Sequence, residues 1–293
     1  MRLLVLSLLA LCLQGRTFVL TVAGLGGEQD YEQRFRSTAQ EIDKLLRQSG
    51  PDVWVLTLTG AEVSKPRIEA ALADVARQAS KEDAVALLLI GHGAFDGEDY
   101  KFNIPGPDLA ATELGAYLDR IPAPRQLVAV MTSSSGAAAA ALERPGRIVI
   151  TATRSGTEKH ATVFARYWAE ALRDPQADTD KNEVISALEA FRYAERKTKE
   201  FYESQKRILT EHAVVHGQEA QKEAAHFALV RLGAMQMAAR DPAKQALLVK
   251  REQLERQIDE LKLRKAALPQ DQYRKQLSAL LLELARTQQE LDR

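Results

Sequence analysis

Thiols are almost absent from this chain. Of its 293 residues one is cysteine, Cys12, and it lies in an apolar N-terminal run, so the body of the protein has none. That excludes an intramolecular disulfide framework, a cysteine-based zinc site and a thiolate nucleophile. It agrees equally with a reducing compartment and with an exported protein that needs no disulfides. Net charge is missing too: 40 basic residues balance 40 acidic ones. No basic cluster is interleaved with aromatic residues, so nucleic acid and anionic membranes are not expected partners. Length and a hydrophobic content of 45% fit a soluble globular protein with one sizeable domain or two smaller ones.

The N-terminus reads as an export signal over residues 1–15. Arg2 supplies a minimal positive region, and LLVLSLLALCL is too short to span a bilayer as a helix. Ala10 and Cys12 have the small-residue spacing of a cleavage site near Leu13, which implies a periplasmic or extracellular protein with no transmembrane span once the signal is removed. The competing reading is a buried first strand or helix. Leu11 is bulky where a lipoprotein signal has a small residue.

From Thr17 apolar, β-branched runs alternate with stretches of helical periodicity. TFVLTVAGLGG, DVWVLTLTG, AVALLLIGHG, QLVAVMTSSSG and RIVITATRSG read as five strands. Helices are expected between them, one with Ser64 as N-cap and Pro66 in its first turn. Another carries Phe164, Trp168 and Leu172 on one face. FDGEDYKFNIPGP reads as a hairpin or loop. The pattern predicts an α/β sandwich with a mainly parallel sheet over residues 16–174. Function in such folds gathers at the carboxyl ends of the strands, where His92 and the Ser133-Ser134-Ser135-Gly136 turn fall.

Those two turns carry a resemblance. LLLIGHG and VAVMTSSSG, in this order, look like the two motifs of the caspase and legumain group of cysteine peptidases, and VAGLGG followed by Tyr31 is similar to that group's first strand. The resemblance covers roughly Phe18 to Leu172. It implies a three-layer αβα caspase-like sandwich, with His92 as general base or acid and Ser133 at the place of the nucleophilic cysteine. The backbone N–H groups of Gly93 and Ser133 would be oxyanion donors. Arg154, Ser155 and Glu158 fall where this group builds its substrate pocket.

Serine for cysteine changes the chemistry. A hydroxyl is far less acidic than a thiol and needs a base in contact, usually with a third group to orient that base. Asp96 and Glu98 are near His92 in sequence and could orient it. The expected function is an exported peptidase-family protein without catalysis, binding an extended peptide or a protein partner. Two alternatives stand beside it: a serine hydrolase using Ser133 and His92, and an interaction protein working through its C-terminal helices.

Beyond Asp174 the sequence turns polar and helical. Asp178, Asp180, Asn182, Ser186 and Glu189 occupy positions 1, 3, 5, 9 and 12 of a calcium loop, with the Val184 carbonyl at position 7. Glu183 stands where such loops have glycine. The stretch therefore reads either as a weak calcium site or as an acidic loop in which Asp178 or Asp180 caps the next helix. No other cofactor is implied. His160, His212, His216 and His226 show no ligand spacing, although His212 and His216 could share a helix face. Residues 175–240 read as this loop and a helical extension. Residues 241–293 read as an α-hairpin turning at Pro269, its apolar stripe formed by Leu247, Leu254, Ile258, Leu261, Leu268, Tyr273, Leu277, Leu281, Leu284 and Leu291. Packing or self-association, and so a homo-oligomer, is the expected use of that hairpin.

Overall fold

The computed structural model describes residues 15–293; the expected export signal lies outside them apart from Gly15. In chain order the elements are β1 (Thr17–Ala23), α1 (Gln29–Ser49), β2 (Val53–Leu58), α2 (Lys65–Gln78), β3 (Ala84–Gly91), β4 (Gly93–Phe95), β5 (Tyr100–Phe102), β6 (Leu109–Ala110), α3 (Ala111–Asp119) and β7 (Arg125–Thr132). They continue with α4 (Ala139–Leu142), β8 (Arg147–Thr151), α5 (Phe164–Ala171), β9 (Val184–Ser186), α6 (Ala187–Ser204), β10 (Val214–His216), α7 (Gln218–Ala225), β11 (Ala228–Arg231), α8 (Gly233–Ala239), α9 (Gln245–Leu263) and α10 (Gln270–Leu291).

A six-stranded sheet in the order β10-β8-β7-β3-β1-β2 forms the middle layer. Its first five members by sequence, β1, β2, β3, β7 and β8, run parallel, and β10 closes one edge antiparallel to β8. The continuous apolar character of β3 follows from burial on both faces. Ala84, Ala86, Leu88 and Ile90 enter the core beneath α1, α5 and α6, whereas Val85, Leu87 and Leu89 enter the core shared with α2 and α3. The fold is thus a three-layer αβα sandwich with a mainly parallel sheet. The stretch after His92 forms a small antiparallel sheet, β4-β5-β6.

Residues 175–240 are more than an appendage. β10 belongs to the main sheet, and Phe191, Tyr193 and Phe227 lie in the same core as β3. β11 pairs with β9 immediately after the acidic loop. Both strands are too short to show a period in the sequence.

The C-terminal hairpin forms from α9 and α10. On α10 the inward stripe runs through Tyr273, Leu277, Leu280, Leu284, Thr287 and Leu291, alternating steps of four and three residues as helix packing requires. Leu281, expected in that stripe, is instead 48% exposed, and its neighbour Leu282 is 54% exposed. Thr287 takes an apolar slot because its hydroxyl donates to the Glu283 carbonyl at 2.9 Å. Among the described residues no helix is long and apolar enough to cross a membrane.

Two features of α5 can be tested. Trp168 is wholly buried, and its indole N–H has no partner among the described residues. Trp168→Ala should cost about 3–5 kcal/mol in urea unfolding, whereas Trp168→Phe should cost far less, since no hydrogen bond is lost. At the start of α5 the backbone N–H groups of Val163 and Phe164 donate to Glu211, 2% exposed, at 2.9 to 3.2 Å. Burial outweighs these donors and pushes the Glu211 carboxyl up to about 7. The folded state therefore holds this proton more tightly than the unfolded one. Its stabilising contribution is complete below pH 4.5 and is lost as pH rises through about 7. Urea midpoints of wild type should fall relative to Glu211→Gln across that window; parallel curves would contradict the assignment.

Candidate functional site

The site is built by two neighbouring strands that end together. Gly91 of β3 is in register with Thr132 of β7, so the next residues, His92 and Ser133, leave the sheet side by side. Gly93 must be glycine, because a Cβ there would stand 2.5 Å from the Tyr100 hydroxyl and 2.7 Å from the Ser133 carbonyl. That close approach brings the Gly93 backbone onto Ser133. Tyr100 is itself tied down, its hydroxyl 2.6 Å from that of Thr132.

The Ser133 hydroxyl is bonded twice to the Gly93 backbone. It accepts from the Gly93 N–H at 3.1 Å and donates to the Gly93 carbonyl at 2.9 Å. Ser133 is only 3% exposed. Of the two N–H groups expected to be oxyanion donors, that of Gly93 is spent on the Ser133 hydroxyl. Ser134 follows in the left-handed region (φ 54°), its N–H donating to the Glu158 carbonyl at 2.8 Å.

His92 is held from its other side. Its ring lies edge-on to Tyr31 and Phe35 of α1, with centroids 4.7 and 5.0 Å away. Burial lowers its pKa and nearby Arg34 adds to this, while a bond to the Gly26 backbone opposes them. The imidazole is therefore neutral at pH 7, and among the described residues no hydrogen bond joins it to the Ser133 hydroxyl. Asp96 and Glu98 do not orient it. Asp96 pairs with Lys101 at 2.6 Å and accepts the N–H groups of Glu98 and Asp99, turning the hairpin tip inward on itself.

Arg154, Ser155 and Glu158 are brought together beside the SSSG turn. Thr153 links them to it, accepting the Gly136 N–H at 3.0 Å and donating its own N–H to Ser135 Oγ at 3.0 Å. Glu158 is taken by the Arg154 guanidinium at 3.1 Å and by His212 Nδ1 at 2.6 Å. The charges of Arg154 and Glu158 are thus paired with each other. Sequence reasoning missed His212, Tyr31 as a ring contact, and Phe35; only Tyr31 had a signal, following VAGLGG. His212 and His216 do not share a helix face: His216 sits in β10 with Nε2 2.9 Å from the Thr151 hydroxyl.

The acidic loop lies apart from this turn. Carboxylate oxygens of Asp178, Asp180 and Glu189 come within 4.8 Å of one another. Glu183 adopts φ 60°, the left-handed turn that glycine normally supplies at its position. The helix cap is made by Ser186 and Glu189, whose backbone and side chains bond reciprocally at 2.8 to 3.3 Å, rather than by Asp178 or Asp180. Asp178 instead accepts the N–H groups of Asn182 and Glu183 at 3.1 and 3.0 Å. Desolvation, with the Glu189 and Asp178 charges, pushes the Asp180 carboxyl up to about 6. Asp180 stands on the exposed side of the loop, so its like-charged neighbours are the more persuasive of those causes.

No family model and no curated protein matches this sequence. Among solved structures the chain is similar to the Drosophila initiator caspase Dronc, at 13% identity and a TM-score of 0.47, covering 70% of this chain and 80% of that one. It is also similar to caspase-1 from Spodoptera frugiperda, at 13% identity and a TM-score of 0.45, covering 63% of this chain and 77% of that one.

Proposed function

We propose that the protein is an exported caspase- and legumain-like member of the peptidase group that has lost catalysis and binds an extended peptide or protein segment at the carboxyl ends of its strands. The observation that carries this reading is the two-way bond between the Ser133 hydroxyl and the Gly93 backbone. A serine nucleophile must pass its proton to a base as it attacks. Here the proton is directed at a carbonyl oxygen, which is no base, and the neutral imidazole is engaged by Gly26, Tyr31 and Phe35. The motif order, GHG on one strand and SSSG on the next, supports descent from a cysteine dyad.

The test restores the thiol. Sulfur is a weak hydrogen-bond partner and does not sustain the two short bonds, and a thiolate forms readily beside an imidazole. Ser133→Cys should therefore label with electrophiles carried on short peptides, and adding His92→Ala should slow labelling. A folded Ser133→Cys protein that fails to label across a varied peptide panel would count against a preserved cleft.

A second reading concerns the acidic loop, which we propose as a weak calcium site. It is favoured by the grouped carboxylates and by Glu183, which takes the turn conformation without being glycine. Hard oxygen ligands at these loop positions suit calcium, and a divalent ion would relieve the repulsion that raises Asp180. Millimolar calcium should raise the melting temperature of wild type and leave Asp180→Asn unmoved. An unchanged wild-type melting temperature would remove the site.

A further inference from the structure

The opposite end of the sheet holds a cavity of about 440 Å³ between the first residues of β1, β2, β3 and β7 and the face of α9. A smaller one of about 250 Å³ adjoins it and shares Arg125, His226, Phe227 and Arg256. The combined space falls in the range of small-molecule sites. One side is apolar, lined by Val53, Phe227, Leu229 and Val249.

Its charges are unevenly paired. Arg231 pairs with two of the carboxylates lining it, Asp52 at 3.0 Å and Glu252 at 3.5 Å. Arg125 and Arg256 have no carboxylate within ion-pair reach among the described residues; Arg125 makes one long bond, 3.5 Å, to the Glu82 carbonyl. Glu82 and Glu223 are exposed at the rim, and Glu252, Glu223 and Asp83 act on Arg125 only at longer range. Burial and the like charge of Arg256 pull the Arg125 guanidinium below its ordinary value. His226, lowered by burial and again by Arg256, is neutral at pH 7 and adds no charge. Two half-buried guanidinium groups that repel one another across a cavity are an arrangement that an anion between them would relieve, and their planar forks suit a carboxylate or phosphate.

We propose that this cavity binds a small amphipathic oxyanion, its carboxylate or phosphate headgroup bridging Arg125 and Arg256 and its apolar body lying against Val53, Phe227, Leu229 and Val249. The site is remote from His92 and Ser133, and nothing in it depends on how those residues act.

Calorimetry on the full chain tests this with octanoate as probe, and with octan-1-ol and inorganic phosphate as partial probes. Octanoate should bind saturably, one per chain, while octan-1-ol, lacking the charge, and phosphate, lacking the apolar body, should bind at least tenfold more weakly. Arg256→Gln, which breaks no ion pair, should weaken octanoate at least tenfold. Non-saturable octanoate binding, or octan-1-ol binding as tightly, would overturn the proposal without recourse to any variant. Equal affinity for phosphate would overturn the amphipathic assignment, and unchanged octanoate affinity in folded Arg256→Gln would overturn the role of the arginines.

Discussion

Two hydrogen bonds between one side chain and one backbone unit hold the carboxyl end of this sheet together. Ser133 Oγ receives the Gly93 N–H and returns its own proton to the Gly93 carbonyl, so that the turns leaving β3 and β7 are stitched to each other. Much of the surrounding geometry is a condition for that stitch. The parallel register sets the two strands level, the missing Cβ of Gly93 lets the backbones meet, and the Tyr100–Thr132 bond fixes the hairpin above them. A sulfur atom could not make the same pair of short contacts. The serine is thus a structural tie between the two turns.

The two ends of the sheet consequently differ in character. At the carboxyl end several polar groups are satisfied internally: Glu158 by Arg154 and His212, Thr153 by Gly136 and Ser135, Asp96 by its own hairpin, while the buried Ser134 hydroxyl has no partner among the described residues. At the amino end Arg125 and Arg256 are left facing a cavity beneath α9. The C-terminal hairpin matters there, since α9 supplies one wall of that cavity and its Arg251 reaches the Asn182 carbonyl of the acidic loop at 2.7 Å.

The sequence made legible what depends on local pattern. Continuous apolar runs marked the central strands because both their faces are buried, and the GHG and SSSG turns fell at neighbouring strand ends because the strands are adjacent and parallel. The cap of α6 was not among these: the sequence pointed to Asp178 or Asp180, whereas Ser186 and Glu189 form a capping box. What stayed hidden depends on contacts between distant residues. Phe35 lies far from His92 in sequence, and only the fold sets its ring against that imidazole. β10 and β11 are too short to carry a period. Leu281 was indistinguishable from Leu280 by type, and a single step of the α10 stripe, completed by Thr287, decides which of them faces α9.

The central claim is that the Ser133 hydroxyl serves the fold and does no chemistry. The most direct measurement is covalent labelling of the folded wild-type chain by a serine-directed fluorophosphonate, with the modified residue located by mass spectrometry. The account predicts no modification at Ser133. Stoichiometric labelling of Ser133 that disappears in His92→Ala would contradict it, since it would require the hydroxyl to leave Gly93 and give its proton to the imidazole.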